Sequence, residues 1–188
     1  MSAKNSEVYK FKLSVLGDAS VGKTSLIRHF CDGYFKESYL ATLGVSFLRK
    51  EITMKTEAST NERVVLQIWD LGGQTLFTGL RHNYIKGSQG ALVLFDITHK
   101  PSLVHVESWV DEFFAAIPKE KWKNTPVVIV GNKIDLEFDE RIKQQSENLV
   151  VKKLNLPLIF TSAKTGENMK DTFINISKLM IKRRSSYE

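Results

Sequence analysis

The chain has 188 residues and a mass of 21.4 kDa, a length that fits one domain able to bury roughly 70% of its unfolded surface without staples. Hydrophobic residues at 42% and charged residues at 26% exclude a disordered chain, a collagen and a disulfide scaffold. Lys and Arg outnumber Asp and Glu by 27 to 21, but the excess sits at the ends, where Lys4, Lys10 and Lys12 face Glu7 and where Lys178, Lys182, Arg183 and Arg184 face Glu188. The body is nearly neutral, which argues against a dedicated nucleic-acid face. The basic C-terminal stretch reads either as a solvated helix end or as a tail facing a membrane or a partner. A single cysteine, Cys31, can form neither an internal disulfide nor a cysteine-built zinc site and points to a reducing compartment. No apolar run approaches the roughly 18 residues of a membrane span. Met1-Ser2-Ala3-Lys4 lacks a secretory core and the glycine that myristoylation needs. The expectation is a cytoplasmic protein.

Short apolar runs alternate with longer amphipathic ones. Residues 8–16 read as a strand with Tyr9, Phe11, Leu13 and Val15 on one face. Residues 23–32 read as a helix. Two strands follow, 45–55 and 63–70, joined by a polar turn at 56–62 that permits an antiparallel hairpin. Continuous apolar runs at 91–97 and 126–131 suit strands covered on both faces, and 156–161 makes a sixth. Helical patterns lie near 76–87, 103–117, 139–154 and 168–183; in the last, Met169, Phe173, Ile176 and Met180 recur at helical spacing and read as core. This alternation predicts an α/β fold: a six-stranded, mostly parallel sheet with one antiparallel strand and helices on both faces. Ligands of such sheets gather at the carboxyl ends of the strands. Residues 1–7 read as an N-terminal extension, 8–182 as the domain and 183–188 as a C-terminal tail.

The first strand runs into Gly17-Asp18-Ala19-Ser20-Val21-Gly22-Lys23-Thr24, which matches G-x-x-x-x-G-K-[ST] between a strand and a helix. Such a loop wraps a polyphosphate with its amides, so Ala19, Ser20, Val21, Gly22, Lys23, Thr24 and Ser25 are candidate phosphate contacts. Lys23 would bridge the outer phosphates, and the Thr24 hydroxyl would ligate Mg²⁺. At the end of the third strand, Asp70 can hold Mg²⁺ through a water, the Gly73 amide can bond the γ-phosphate and Gln74 can orient the attacking water. Thr42, in the polar segment 33–44, can complete the Mg²⁺ shell. Asn132-Lys133-Ile134-Asp135 ends the fifth strand. A carboxylate at Asp135 can accept from guanine N1 and N2, a donor pair that adenine lacks. Asn132 can reach guanine N7 and tie its loop to the phosphate loop, and the Lys133 stem can cover a base face. In Thr161-Ser162-Ala163-Lys164, the Ala163 amide can meet guanine O6, with Ser162 and Lys164 beside it. A P-loop kinase or ATPase leaves 132–135 unexplained.

Taken together, these five blocks resemble the Ras superfamily of small GTPases, with the P-loop NTPase G-domain fold. Tyr39-Leu40-Ala41-Thr42-Leu43-Gly44-Val45-Ser46-Phe47, Leu66-Gln67-Ile68-Trp69-Asp70 and Phe95-Asp96-Ile97-Thr98 are similar to the Rab family. The resemblance implies a GTP/GDP switch that hydrolyses GTP slowly with Mg²⁺. It also implies that Phe35 packs on the guanine, that Tyr39 covers the phosphates, and that Phe47, Trp69 and Tyr84 form an aromatic cluster presented to effector proteins, the alternative for these three being ordinary core. An exchange factor and a GTPase-activating protein are implied as partners, with a role in vesicle trafficking. The chain departs from the Rab pattern in Leu71-Gly72-Gly73-Gln74-Thr75, whose paired glycines are like the Arf family and whose Thr75 replaces a glutamate used in nucleotide exchange. Ala19 and Ser20 replace residues that are often serine or glycine in Rabs, which leaves a GTP-binding scaffold with negligible hydrolysis as the alternative. The final residues, Arg184-Ser185-Ser186-Tyr187-Glu188, hold no cysteine to prenylate. A peripheral place on a membrane's cytosolic face therefore requires a lipidated tail beyond this sequence.

Overall fold

Strand β1 (Val8–Gly17) runs through the middle of a sheet whose other members are β2 (Val45–Lys55), β3 (Asn61–Leu71), β4 (Gly90–Asp96), β5 (Val127–Asn132) and β6 (Leu158–Thr161). The computed structural model describes residues 8–36, 44–55, 61–73 and 78–184. The strand order is β2-β3-β1-β4-β5-β6, and β2 pairs antiparallel with β3 from Val45 opposite Leu71 to Lys55 opposite Asn61, while the other pairs are parallel. Chain order reverses at β1, which has β3 on one side and β4 on the other. The crevice at its carboxyl end, where Gly17 emerges, is the switch point of an open α/β sheet.

The period-2 alternation of the central strands divides the apolar residues between two cores. Phe11, Leu13, Val15, Leu92, Leu94 and Val130 point to one face. There they meet α1 (Lys23–Asp32) through Leu26, Ile27 and Phe30, and α6 (Met169–Arg184) through Phe173, Ile176 and Met180. The Phe30 and Phe173 rings stack at 3.9 Å. Leu16, Ala91, Val93, Phe95 and Ile129 point to the other face. They pack on α2 (Thr78–Ile85), α3 (Lys100–Val104), α4 (Val106–Ala115) and α5 (Glu140–Ser146). The helical stripe expected in α6 holds: Phe173, Ile176 and Met180 are buried, and Met169 packs at the edge of the same core.

Several boundaries differ from the sequence reading, each for a local reason. The helix expected at 103–117 is two helices, α3 beginning at Lys100 because Pro101 suits a first turn, and α4 beginning after His105. The helix expected at 139–154 narrows to α5, capped by the Asp139 carboxylate on the Arg141 amide, and continues as a π-helical stretch, Glu147–Lys153. β6 starts at Leu158 rather than 156, since Pro157 has no amide to give the ladder. The sequence pattern gives no sign of the 3₁₀ turn Lys119–Asn124, and α6 runs from Met169 to Arg184, one residue later at each end than the 168–183 expected.

Candidate functional site

The phosphate loop departs from β1 by a turn that only glycine permits. Gly17 has φ 132°, and a Cβ there would lie 2.2 Å from the Leu94 carbonyl oxygen. Gly22 (φ 96°) caps α1, and a Cβ there would meet Asn132 Nδ2 at 2.2 Å. The first turn of α1 has neither a capping side chain nor an acidic residue, so its amides point at the crevice as an anion site. Lys23 is buried, and its Nζ donates to the carbonyls of Gly17 (2.7 Å) and Asp18 (2.6 Å). Burial pushes its pKa down to about 8, opposed by the nearby carboxylates of Asp70 and Asp18. Ala19 and Ser20 are exposed at the tip of the loop, Ser20 with φ 64°; Val21 is buried, and Ser25 is half-buried in α1.

Around this cradle the other motif residues assemble. The Thr24 hydroxyl donates to Asp70 Oδ2, joining the start of α1 to the end of β3. A hydroxyl and a carboxylate are hard oxygen donors that suit Mg²⁺, which keeps several ligands from water and phosphate. Among the described residues no three His, Cys, Asp or Glu side chains cluster as a fuller metal cage. Gly73 lies against the phosphate loop: a Cβ on it would sit 2.4 Å from the Ala19 nitrogen.

Asn132 is buried between two loops. Its Nδ2 donates to the Val21 carbonyl (2.8 Å), and its Oδ1 accepts from the Ala163 amide (2.9 Å). The tie to the phosphate loop is as expected. The Ala163 amide, expected to point at guanine O6, is engaged by Asn132 instead. Ser162 donates to Asp135 Oδ1 (2.6 Å) and accepts from the amides of Lys164 (3.2 Å) and Thr165 (3.0 Å). Asp135 is exposed, not buried, so its carboxylate meets solvent at the rim of the crevice. Lys133 takes a left-handed backbone (φ 73°) and pairs with Asp96 at 2.6 Å, which fixes the stem expected to cover a base face. Phe35 stands 6.5 Å from the His29 ring, and His29 Nδ1 bonds the Ala163 carbonyl oxygen at 2.7 Å. A cavity of about 370 Å³ opens between Ser20, Asp96 and Lys133. Tyr39, Thr42 and Gln74 lie outside the described residues.

The aromatic trio spans surface and core: Trp69 packs against the second core, between the exposed Phe47 and Tyr84. Phe47 and Trp69 meet edge-on at 5.2 Å, Trp69 and Tyr84 at 5.8 Å, and Phe47 (51%) and Tyr84 (37%) remain exposed. Sequence reasoning missed a second set of residues behind the phosphate loop. Asp18 accepts from Trp109 Nε1 (2.7 Å) and contacts His105 Nδ1 (2.7 Å). Arg81 of α2 forks onto Glu112 of α4 (2.7 and 3.0 Å), stacks 4.6 Å from the Trp109 ring and reaches the Gly72 carbonyl at 3.4 Å. These residues line a cavity of about 460 Å³ beside Ala19 and Gly73. The available signal was Asp18 itself, an acid in an anion-binding loop that needs donors.

The model of the Ras family matches residues 12–182. The chain is similar to the "Ras-related protein Rab-1" of Theileria parva, 34% identical over 180 residues that cover 95% of this chain and 78% of the relative. It is equally similar to the protein of the same name from Theileria annulata, with the same identity and coverage. A match across nearly the whole folded chain, together with motif loops that converge on one crevice of the expected sheet, makes this protein a member of the Ras family, a Rab-like small GTPase that binds GTP and hydrolyses it to GDP and phosphate.

Proposed function

We propose that the crevice holds a guanosine polyphosphate with Mg²⁺, its phosphates in the cradle 17–24 and its base against Asp135. The observation that carries this reading is Asn132, which bonds the phosphate loop on one side and the loop bearing Ala163 on the other, with Ser162 passing the connection to Asp135. These bonds support holding a phosphate subsite and a base subsite at one separation. Thr24 and Asp70 would hold Mg²⁺, with Thr42 from the segment before β2. The ion supplies charge compensation on the outer phosphates and positions them. Lys23, its ammonium pre-oriented by two carbonyls, adds a fixed positive charge, and the amides of Ala19 through Thr24 position the phosphates. The Gly73 amide marks the γ-phosphate, and Gln74 aligns water for in-line attack. With no arginine supplied by a partner, turnover is on the order of 10⁻⁴ to 10⁻² s⁻¹. Phe35 and the Lys133 stem sandwich the base, with Tyr39 over the phosphates.

The switch serves membrane trafficking. Effectors engage Phe47, Trp69 and Tyr84, and an exchange factor and a GTPase-activating protein set the nucleotide state. Asp135→Asn tests the base site directly. An amide in place of the carboxylate presents a donor to guanine N1 and N2, so nucleotide competition should shift preference from guanine toward xanthine. Undiminished preference for GTP over XTP would reject the assignment.

A further inference from the structure

The first and last described residues, β1 from Val8 and α6 to Arg184, meet at the amino end of the sheet, opposite the nucleotide crevice. Arg184 lies 5.5 Å over the Tyr9 ring, Lys12 Nζ donates to the Lys86 carbonyl (2.8 Å), and Arg183 donates to the Lys123 carbonyl (2.7 Å). Lys86, Lys121, Arg183 and Arg184 surround a cavity of about 630 Å³ in which Glu120 is the only acid among the lining residues. Lys119 and Lys123 are exposed in the adjoining turn. The floor of the cavity is apolar, with Ile117, Pro118 and Met180. Between the lysines stands Trp122, 40% exposed. Its indole N–H already donates to the Ile117 carbonyl (2.8 Å), so the ring is not outside in order to hydrogen-bond. Phe114, 5.5 Å away, props it from behind.

We propose that this face docks the folded domain on an anionic phospholipid surface. Clustered cations attract anionic headgroups, each strengthening binding roughly fivefold. An indole with a satisfied N–H belongs at the boundary between headgroups and acyl chains. Nucleic acid would use the cations but leave the apolar floor without a partner. The backbone bonds from Arg183 and Lys12 hold the cations in place before binding, which lowers the entropy lost on docking. Because the face lies at the opposite ends of the strands from Gly17 and Asp135, it leaves the crevice open; it borders the aromatic cluster, since Lys12 Nζ also lies 4.7 Å over the Trp69 ring. The inference does not depend on the nucleotide reading.

The test is sedimentation of the full chain with phosphatidylcholine vesicles, with and without phosphatidylserine, at low and physiological salt. Binding should require phosphatidylserine and weaken with salt. Lys121→Glu with Lys123→Glu should reduce partition at least about 25-fold, taking fivefold for each lost cation. Trp122→Ala should weaken it less and abolish the fluorescence blue shift on binding. Lys100→Glu, a reversal at the crevice end, should change partition at physiological salt by less than about twofold, because charges are screened there over about 8 Å. Thermal unfolding confirms that the variants fold. Equal binding to neutral vesicles, undiminished binding by the double reversal, or an equal loss on Lys100→Glu would overturn the proposal. So would preferential capture by duplex nucleic acid or an acidic peptide in competition with the vesicles.

Discussion

Glu112→Leu should be among the more damaging single substitutions outside the crevice. Arg81 is 5% exposed and Glu112 25% exposed, and the pair is forked, with contacts of 2.7 and 3.0 Å. Removing the carboxylate strands a guanidinium in a place where water reaches poorly, a change that costs about 3–5 kcal/mol for buried pairs. Glu112 is partly wet, and Arg81 keeps the Trp109 face and the Gly72 carbonyl, so the low end, about 3 kcal/mol, is expected. Arg81→Met combined with Glu112→Leu removes both charges and should return to within about 1 kcal/mol of the parent. Denaturant unfolding of the four proteins at fixed excess GDP closes the cycle, and hydrogen exchange locates the loss. Amides of α2 should exchange faster in Glu112→Leu while those of α6 are unchanged. A Glu112→Leu protein within about 0.5 kcal/mol of the parent would refute the claim that this pair fastens α2 to α4.

In the nucleotide-stripped chain, Lys23 has a folded pKa of about 8 against an ordinary 10.5, so the unfolded chain binds the extra proton between those values and stability rises with pH across that window. The rise, up to about 3 kcal/mol, should vanish in Lys23→Met, measured as the difference between the two proteins' pH profiles; parallel profiles would remove the burial argument. Asn132→Ala unpairs the Val21 carbonyl and the Ala163 amide, and should cost about 2–4 kcal/mol with a matching fall in nucleotide retention. Retention unchanged on filter binding would mean the two loops hold each other by other contacts. Gln74→Leu should slow activator-stimulated hydrolysis at least about tenfold, read as phosphate release, and an unaltered rate takes Gln74 out of the reaction.

Fold and phosphate loop were legible because both are written in local terms. The central strands are apolar runs bounded by polar turns, and the loop needs glycines at Gly17 and Gly22 for reasons of backbone angle and crowding. Asn132 was legible in part, since its type and place at a strand end suggested a tie between loops. That Asp135 is exposed and that Ala163 is engaged by Asn132 depend on how two distant loops close, which no spacing encodes. The π-helical stretch after Ser146 was illegible because apolar spacing alone does not separate it from an α-helix. Arg81 and Glu112 were illegible for another reason. Each looks like an ordinary surface charge on its own helix, and only the packing of α2 against α4 buries them together.

Asp18 shows how the exception is accommodated. A carboxylate beside a polyphosphate would repel it at a cost that grows as water is excluded. Here its oxygens are turned away from the cradle and held by the Trp109 indole and His105, while its backbone carbonyl accepts from Lys23. The side chain therefore contributes a tether where it might have contributed repulsion. Trp109 serves twice, since its ring face carries Arg81 while its N–H carries Asp18. The phosphate loop and α2 are thus bound to the same indole, and a displacement of α2 that pulls Arg81 off the ring changes the support of Asp18. Gly72 and Gly73, lying between Arg81 and the loop, are the part of the chain with the least side-chain mass to resist that motion. Gly72, Gly73 and Asp18 thus belong to one packed arrangement, in which α2 and the phosphate loop share the Trp109 indole.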